Sequence, residues 1–214
     1  MVSSSHAKAR GGKKASPARD EQIMSAVVAL AKRCNYEEGH THQVTRLAVR
    51  LFDELNALHH LGPAEQLYLR CAGMLHDIGW SEGKKGHHKT AQRLILQADE
   101  LPMDARVRKI VALVARYHRK ALPSAEHEEF ASLSERDQLL VRQLAAILRV
   151  ADGLDVMHQN MVQDVRCRIT AGDVTITYAA TGPMDEGLAA ATEKADLFEQ
   201  VFGRKFVFKA AVSA

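Results

Sequence analysis

Histidine and aspartate stand side by side at His76 and Asp77, in the string MLHDIGW. Two further groups of the same kinds, His40 and Asp152, lie far away in the chain. His40 falls four residues before Val44, His76 four after Ala72, and Asp152 four after Leu148. On a helix, residues four apart share a face, so these side chains turn inward with the apolar stripes that carry them. Asp77 follows His76 where the chain leaves its helix and can reach the same point. A carboxylate ionised in an apolar interior is costly without a partner. A divalent cation supplies one, because it takes neutral imidazole and anionic carboxylate together and binds deprotonated ligands. Mn²⁺, Mg²⁺, Fe²⁺ and Zn²⁺ all suit this mixed nitrogen and oxygen set. Held in a helical bundle, such an ion could activate water against a phosphoryl group, with Asp77 or another carboxylate receiving the proton.

The elements that must position these groups follow from hydrophobic period. Ile23, Val27, Leu30 and Cys34 recur at helical spacing, as do Val44, Leu47, Leu51 and Leu55. Gly62-Pro63 breaks that second stripe. Tyr68, Ala72 and Leu75 mark a third helix, with Gly79 expected as its stop. Stripes through Ala91–Ala98, Val107–Val114 and Leu140–Ala151 add three more. Near residue 164 the period becomes two: Val165, Cys167 and Ile169, a turn at Ala171-Gly172, then Val174, Ile176 and Tyr178 form a hairpin. Residues 187–202 read as one amphipathic helix, and Phe206 and Phe208 as a last strand. The expectation is a mainly α protein: a basic, disordered tail over 1–20, a helical bundle over 21–162, and a small β-β-α-β unit over 163–214 leaning on the bundle. A unit of that size buries little core alone.

Composition removes several alternatives. The formal charge of the 214 residues is +3, but residues 1–20 carry +4 of it, so the remainder nets −1. A basic groove for duplex nucleic acid is therefore not indicated. No apolar run approaches the roughly 18 residues of a membrane helix, and the tail lacks the apolar core of a secretory signal. Cys34, Cys71 and Cys167 are too dispersed for a CxxC site and read as reduced thiols of a cytoplasmic protein.

The strings HQVTRLAVRLFDEL, MLHDIGW, GHHKTAQRLI, ARYHRKALP, LAAILRVADGLD and KADLFEQVFGRKF carry a resemblance. The pattern H…HD…D resembles the HD-domain superfamily of metal-dependent phosphohydrolases. Over residues 38–208 the chain is similar to the C-terminal HD region of the exopolyphosphatase/guanosine pentaphosphatase family. The resemblance implies an HD-type bundle with His40, His76, Asp77 and Asp152 as metal ligands. Some HD proteins hold a second ion. His87 and His118 occupy matching positions, and both lie on apolar faces, four before Ala91 and four after Val114. They are second ligands or polar core residues. His88, four before Gln92, points away. His42 reads as a surface residue, and His6, His59, His60, His127 and His158 as ordinary polar residues. In that family the region usually follows an actin-like phosphatase module. No glycine-rich phosphate motif of that kind occurs here, so polyphosphate cleavage does not transfer. Thr90 stands where related sequences often have histidine.

Phosphate needs cations. Lys84 and Lys85 follow the His-Asp pair, Arg119 and Lys120 follow His118, and Arg149 precedes Asp152 by nearly a turn. These could neutralise phosphoryl oxygens as water attacks, and Trp80 or Tyr117 could stack on a base. Two functional readings result. One is an HD-type phosphohydrolase acting on a nucleotide or other phosphorylated small molecule, with Asp77, Arg119 and Lys120 at the reaction centre. The other is a non-catalytic module that binds phosphate, nucleotide or polyphosphate, or docks on a protein. The free edge of the C-terminal sheet offers a surface through which two copies could pair.

Overall fold

The computed structural model describes residues 17–211. The basic tail expected over 1–20 thus lies mostly outside the described residues, but its last four residues do not: Pro17 opens the first helix. Helices α1 (Pro17–Arg33), α2 (Glu38–Glu54), α4 (Pro63–Leu75), α5 (His87–Gln97), α6 (Ala105–Arg116) and α8 (Glu135–Leu154) form the bundle, with the single turns α3 (Asn56–His59) and α7 (Glu128–Ala131) between them. Their stripes meet in one core. Val44, Leu47 and Leu51 of α2, Leu69 and Leu75 of α4, Ile110 and Val114 of α6, and Leu144 and Leu148 of α8 are all fully buried. Among the described residues no helix is long and apolar enough to cross a membrane.

Gly79 is not a helix stop. α4 ends at Leu75, and the chain tightens into a 3₁₀ helix, Ile78–Glu82, that contains Gly79. A Cβ at this position would overlap the His87 carbonyl and crowd the Ala91 amide. Glycine is present because two backbones touch here.

The C-terminal unit has strands β1 (Val162–Ile169), β2 (Asp173–Ala180) and β3 (Lys205–Ala210) in the order β1-β2-β3. The first pair is antiparallel and the second parallel. The helical segment before β3 is two helices, α9 (Asp185–Lys194) and α10 (Asp196–Phe202), rather than the single one expected. The break has a cause in the bundle. The buried Arg149 of α8 donates through Nε to the Lys194 carbonyl (3.2 Å) and through Nη2 to Asp196 (2.8 Å). The Asp196 carboxylate also accepts from the Leu197 amide at 2.7 Å. These bonds satisfy the groups exposed at the break. The unit leans on the bundle as expected. Gln43 of α2 donates to the Val162 carbonyl at 2.7 Å, and Arg50 pairs with Asp164 at 2.9 Å. α9 crosses α8 so closely that a Cβ on Gly153 would overlap the Ala191 backbone.

Candidate metal centre

The ligand-bearing positions all lie at helix ends. His40 is in the first turn of α2 and His87 opens α5. His76 caps α4, with Asp77 next to it. His118 follows the end of α6 by two residues, and Asp152 is in the last turn of α8. Up-and-down chain direction therefore brings five separate segments to one end of the bundle. All four imidazoles and Asp152 are buried, as the face argument required.

Two loci result. At the first, His40 Nε2 lies 3.3 Å from Asp152 Oδ1 and 3.9 Å from Asp77 Oδ2. His76 Nε2 lies 3.5 Å from Asp77 Oδ2 and 3.9 Å from Asp152 Oδ1. At the second, Asp77 Oδ1 lies 3.1 Å from His87 Nε2 and 3.5 Å from His118 Nε2, and those two nitrogens are 3.4 Å apart. Ligands about 2.1 Å from one ion are separated by roughly 3–4 Å. Asp77 belongs to both loci, one oxygen in each.

The protonation pattern shows what these atoms need. His76 Nδ1 faces the Gly73 carbonyl at 2.7 Å, His87 Nδ1 that of Lys84 at 3.0 Å, and His118 Nδ1 that of Ala115 at 2.7 Å. His40 Nδ1 faces Asp155 Oδ2 at 2.9 Å. A carbonyl or carboxylate oxygen accepts only, so each Nδ1 carries a proton and donates it. In its neutral form such a ring presents a bare Nε2 lone pair, and the four Nε2 atoms converge on two carboxylates. His76 Nε2 and Asp77 Oδ1 are buried with no hydrogen-bond partner. Acceptors facing acceptors in a buried place are costly, and a cation between them removes the cost. The residues present fit one divalent ion at each locus.

Without metal, a proton takes the cation's place. Burial pulls the His40 imidazole down, but bonds to Asp152 and Asp155 and the charges of Asp152 and Asp77 push it up to about 10. His118 goes the other way: burial outweighs the nearby carboxylates and lowers it to about 3. Burial raises Asp77 and Asp152, yet the surrounding histidines, and Lys194 for Asp152, hold both well below the usual carboxylate range. His40 of the metal-free chain is thus charged at pH 7 and must lose its proton to ligate. Metal uptake is expected to release that proton, and affinity to rise with pH until about pH 10. Titration calorimetry in buffers of different ionisation enthalpy checks this, and heats independent of buffer would contradict it.

A cavity of about 540 Å³ opens over the loci, lined among others by Trp80, Lys84, Arg119, Lys120, His158 and Lys194. Of the residues expected to meet phosphate, Lys84, Arg119 and Lys120 line it. Arg119 Nη1 is 3.5 Å from His87 Nε2, and the Lys84 ammonium sits over the Trp80 ring at 5.3 Å. Lys85 is exposed on the same loop and is not part of the wall. Arg149 reaches the wall, but its donors are used: besides Lys194 and Asp196, Nη1 donates to the Tyr117 carbonyl at 3.3 Å. It ties the α6 and α9 ends to α8 rather than offering a free guanidinium. Tyr117 is fully buried, and its hydroxyl meets His127 Nδ1 at 2.8 Å, so it does not face a base. His88 is half-buried outside the loci, and burial with nearby cations lowers it to about 4.

Three residues escaped the sequence reading. Asp155 orients His40, and its other oxygen accepts from the Asn160 amide at 2.8 Å. Its place three residues after Asp152, in ADGLD, could have flagged it. His158 stacks flat on His40 at 3.7 Å between centroids and pairs with Glu37 at 3.1 Å, so it is not the ordinary polar residue expected. Lys194 donates to Asp152 Oδ2 from 42 positions away, and no local signal marks it. A carboxylate behind a ligating imidazole typically carries about 10–100-fold in metal affinity. Asp155→Ala is expected to weaken Mn²⁺ binding by about that factor in calorimetry, and a change under twofold would refute its part.

A family model described as Ppx/GppA phosphatase, domain III, matches residues 24–181. That span runs from α1 through the β1–β2 hairpin and includes every ligand position of both loci. The chain belongs to this family.

Proposed function

We propose that the chain is a metal-dependent phosphohydrolase of the HD type, acting on a nucleotide or another phosphorylated small molecule. One observation carries the reading: the Nε2 atoms of four rings, each with its Nδ1 already bonded, converge on Asp77 and Asp152, and His76 Nε2 and Asp77 Oδ1 are buried there with no hydrogen-bond partner. Membership of a phosphatase family and the basic cavity wall point the same way. Divalent ions at such a place polarise a phosphoryl oxygen and make water acidic enough to attack at neutral pH.

The protein's own groups do the rest. His40, His76, Asp77 and Asp152 would hold one ion, and His87 and His118 together with Asp77 would hold a second. Both oxygens of Asp77 face imidazoles, so it would serve both loci as a ligand rather than receive the proton. Phosphoryl transfer depends mostly on positioning and charge neutralisation, and Arg119, Lys120 and Lys84 supply cations on the wall above. Arg119 is placed for a fork-like grip on two phosphoryl oxygens, and the lysines act as point charges.

The test is direct. The purified chain is analysed for bound metal and assayed with Mn²⁺ against nucleotides, phosphomonoesters and phosphodiesters. Bound metal together with turnover that Arg119→Ala lowers at least tenfold supports the reading. A metal-loaded chain that binds these compounds without hydrolysing any of them would instead make it a binding module.

A further inference from the structure

Lys194 enters the metal centre from outside the bundle. It is the last residue of α9, in the C-terminal unit, and lies beyond the residues matched by the family model. Its place is fixed at both ends. Arg149 Nε holds its carbonyl at 3.2 Å, and its ammonium donates to Asp152 Oδ2. Arg149 and Asp152 are three apart on α8, so one face of that helix grips both ends of one residue. The Gly153–Ala191 crossing removes slack between the two helices. The other charged groups that the C-terminal unit brings to this cavity are Glu193 and Asp196, and Asp196 is paired with Arg149; Lys84, Arg119 and Lys120 come from the bundle side.

The two oxygens of Asp152 therefore have different partners. Oδ1 faces His40 and His76 at 3.3 and 3.9 Å. Oδ2 faces Lys194, and the carboxylate is buried. A carboxylate with both oxygens free can chelate one ion through both, whereas one oxygen held by an ammonium leaves only the other. We propose that Lys194 is a positioning residue of the metal centre: by holding Oδ2 it confines Asp152 to ligation through Oδ1. The C-terminal unit thereby keeps a coordination position on the ion from being filled by protein. Its positive charge also opposes the ion, so the site gives up metal affinity in return for that opening. This deepens the metal-centre reading and rests on it.

Co²⁺ is the probe, because its visible absorption reports the number and kind of ligands. The whole wild-type chain, Lys194→Met and Lys194→Arg are titrated with Co²⁺ alone, by calorimetry and by absorption, with thermal melting of the metal-free chains as the folding control. Lys194→Met is expected to bind Co²⁺ about tenfold tighter, because a positive charge that repels the ion is removed and Asp152 Oδ2 is freed, and to show a weaker visible band as a second oxygen joins. Lys194→Arg keeps the ion pair and is expected to match wild type in both. A purely structural lysine would weaken binding when lost. Unchanged or weaker binding by Lys194→Met, or a wild-type spectrum, overturns the proposal while leaving the metal centre standing. A wild-type chain that binds no Co²⁺ overturns both. Should Lys194→Met not fold, Lys194→Ala is read in the same way.

Discussion

On the proposed reading, an Asp77→Ala chain is expected to bind neither ion and to show essentially no phosphohydrolase turnover while keeping its helical content. The reason is the division of labour between its oxygens: Oδ2 faces His40 and His76, and Oδ1 faces His87 and His118. No other carboxylate side chain is shared by the two loci among the described residues, since Asp152 faces the first pair through Oδ1 and Lys194 through Oδ2. Several kcal/mol of transition-state stabilisation depend on such ions, so turnover should fall on the order of a thousandfold or more. Asp77→Asn should behave nearly as badly, because an amide keeps the shape but brings no negative charge to either ion. Elemental analysis and a metal titration of each variant are the measurements. Two ions per chain in Asp77→Ala with unchanged turnover would remove the bridge from the account.

Replacing Gly79 by alanine should cost about 3 kcal/mol or more of stability, at the upper end of what overpacking a core produces. The added carbon would lie on the His87 carbonyl and against the Ala91 amide, both backbone atoms of α5. No rotamer change can relieve that overlap, so the first turn of α5 must move. His87 is the first residue of that turn, so a displaced α5 also withdraws a ligand from the second locus. Denaturant unfolding in chelator reads the stability loss, and Mn²⁺ stoichiometry reads the ligand loss. A variant within 0.5 kcal/mol of wild type, the range usual for surface changes, would show that the contact is looser than described.

Much of this centre was legible before any coordinates. The inward faces of His40, His76, His87, His118 and Asp152 followed from their four-residue distance to Val44, Ala72, Ala91, Val114 and Leu148, and all are buried. A mainly helical chain ending in a small sheet followed from the change of period near residue 164. Periodicity works here because it reflects a property of one element alone, namely which side of it avoids water.

What a side chain meets across an interface has no such signature. Arg149 has the sequence setting of a phosphate ligand, yet the ends of α6 and α9 arrive at its guanidinium and use its donors. Gly79 has the sequence setting of a helix stop, yet its smallness answers to α5. His158 and Lys194 have no local signal at all. The first is brought onto His40 by the chain's course after α8, the second onto Asp152 by the crossing of α9 over α8. The chain by itself thus determined which groups turn inward and what chemistry they could share. Only the tertiary structure decided which oxygen of each carboxylate faces which partner, because that depends on how remote helices cross, and a crossing is a property of two surfaces together.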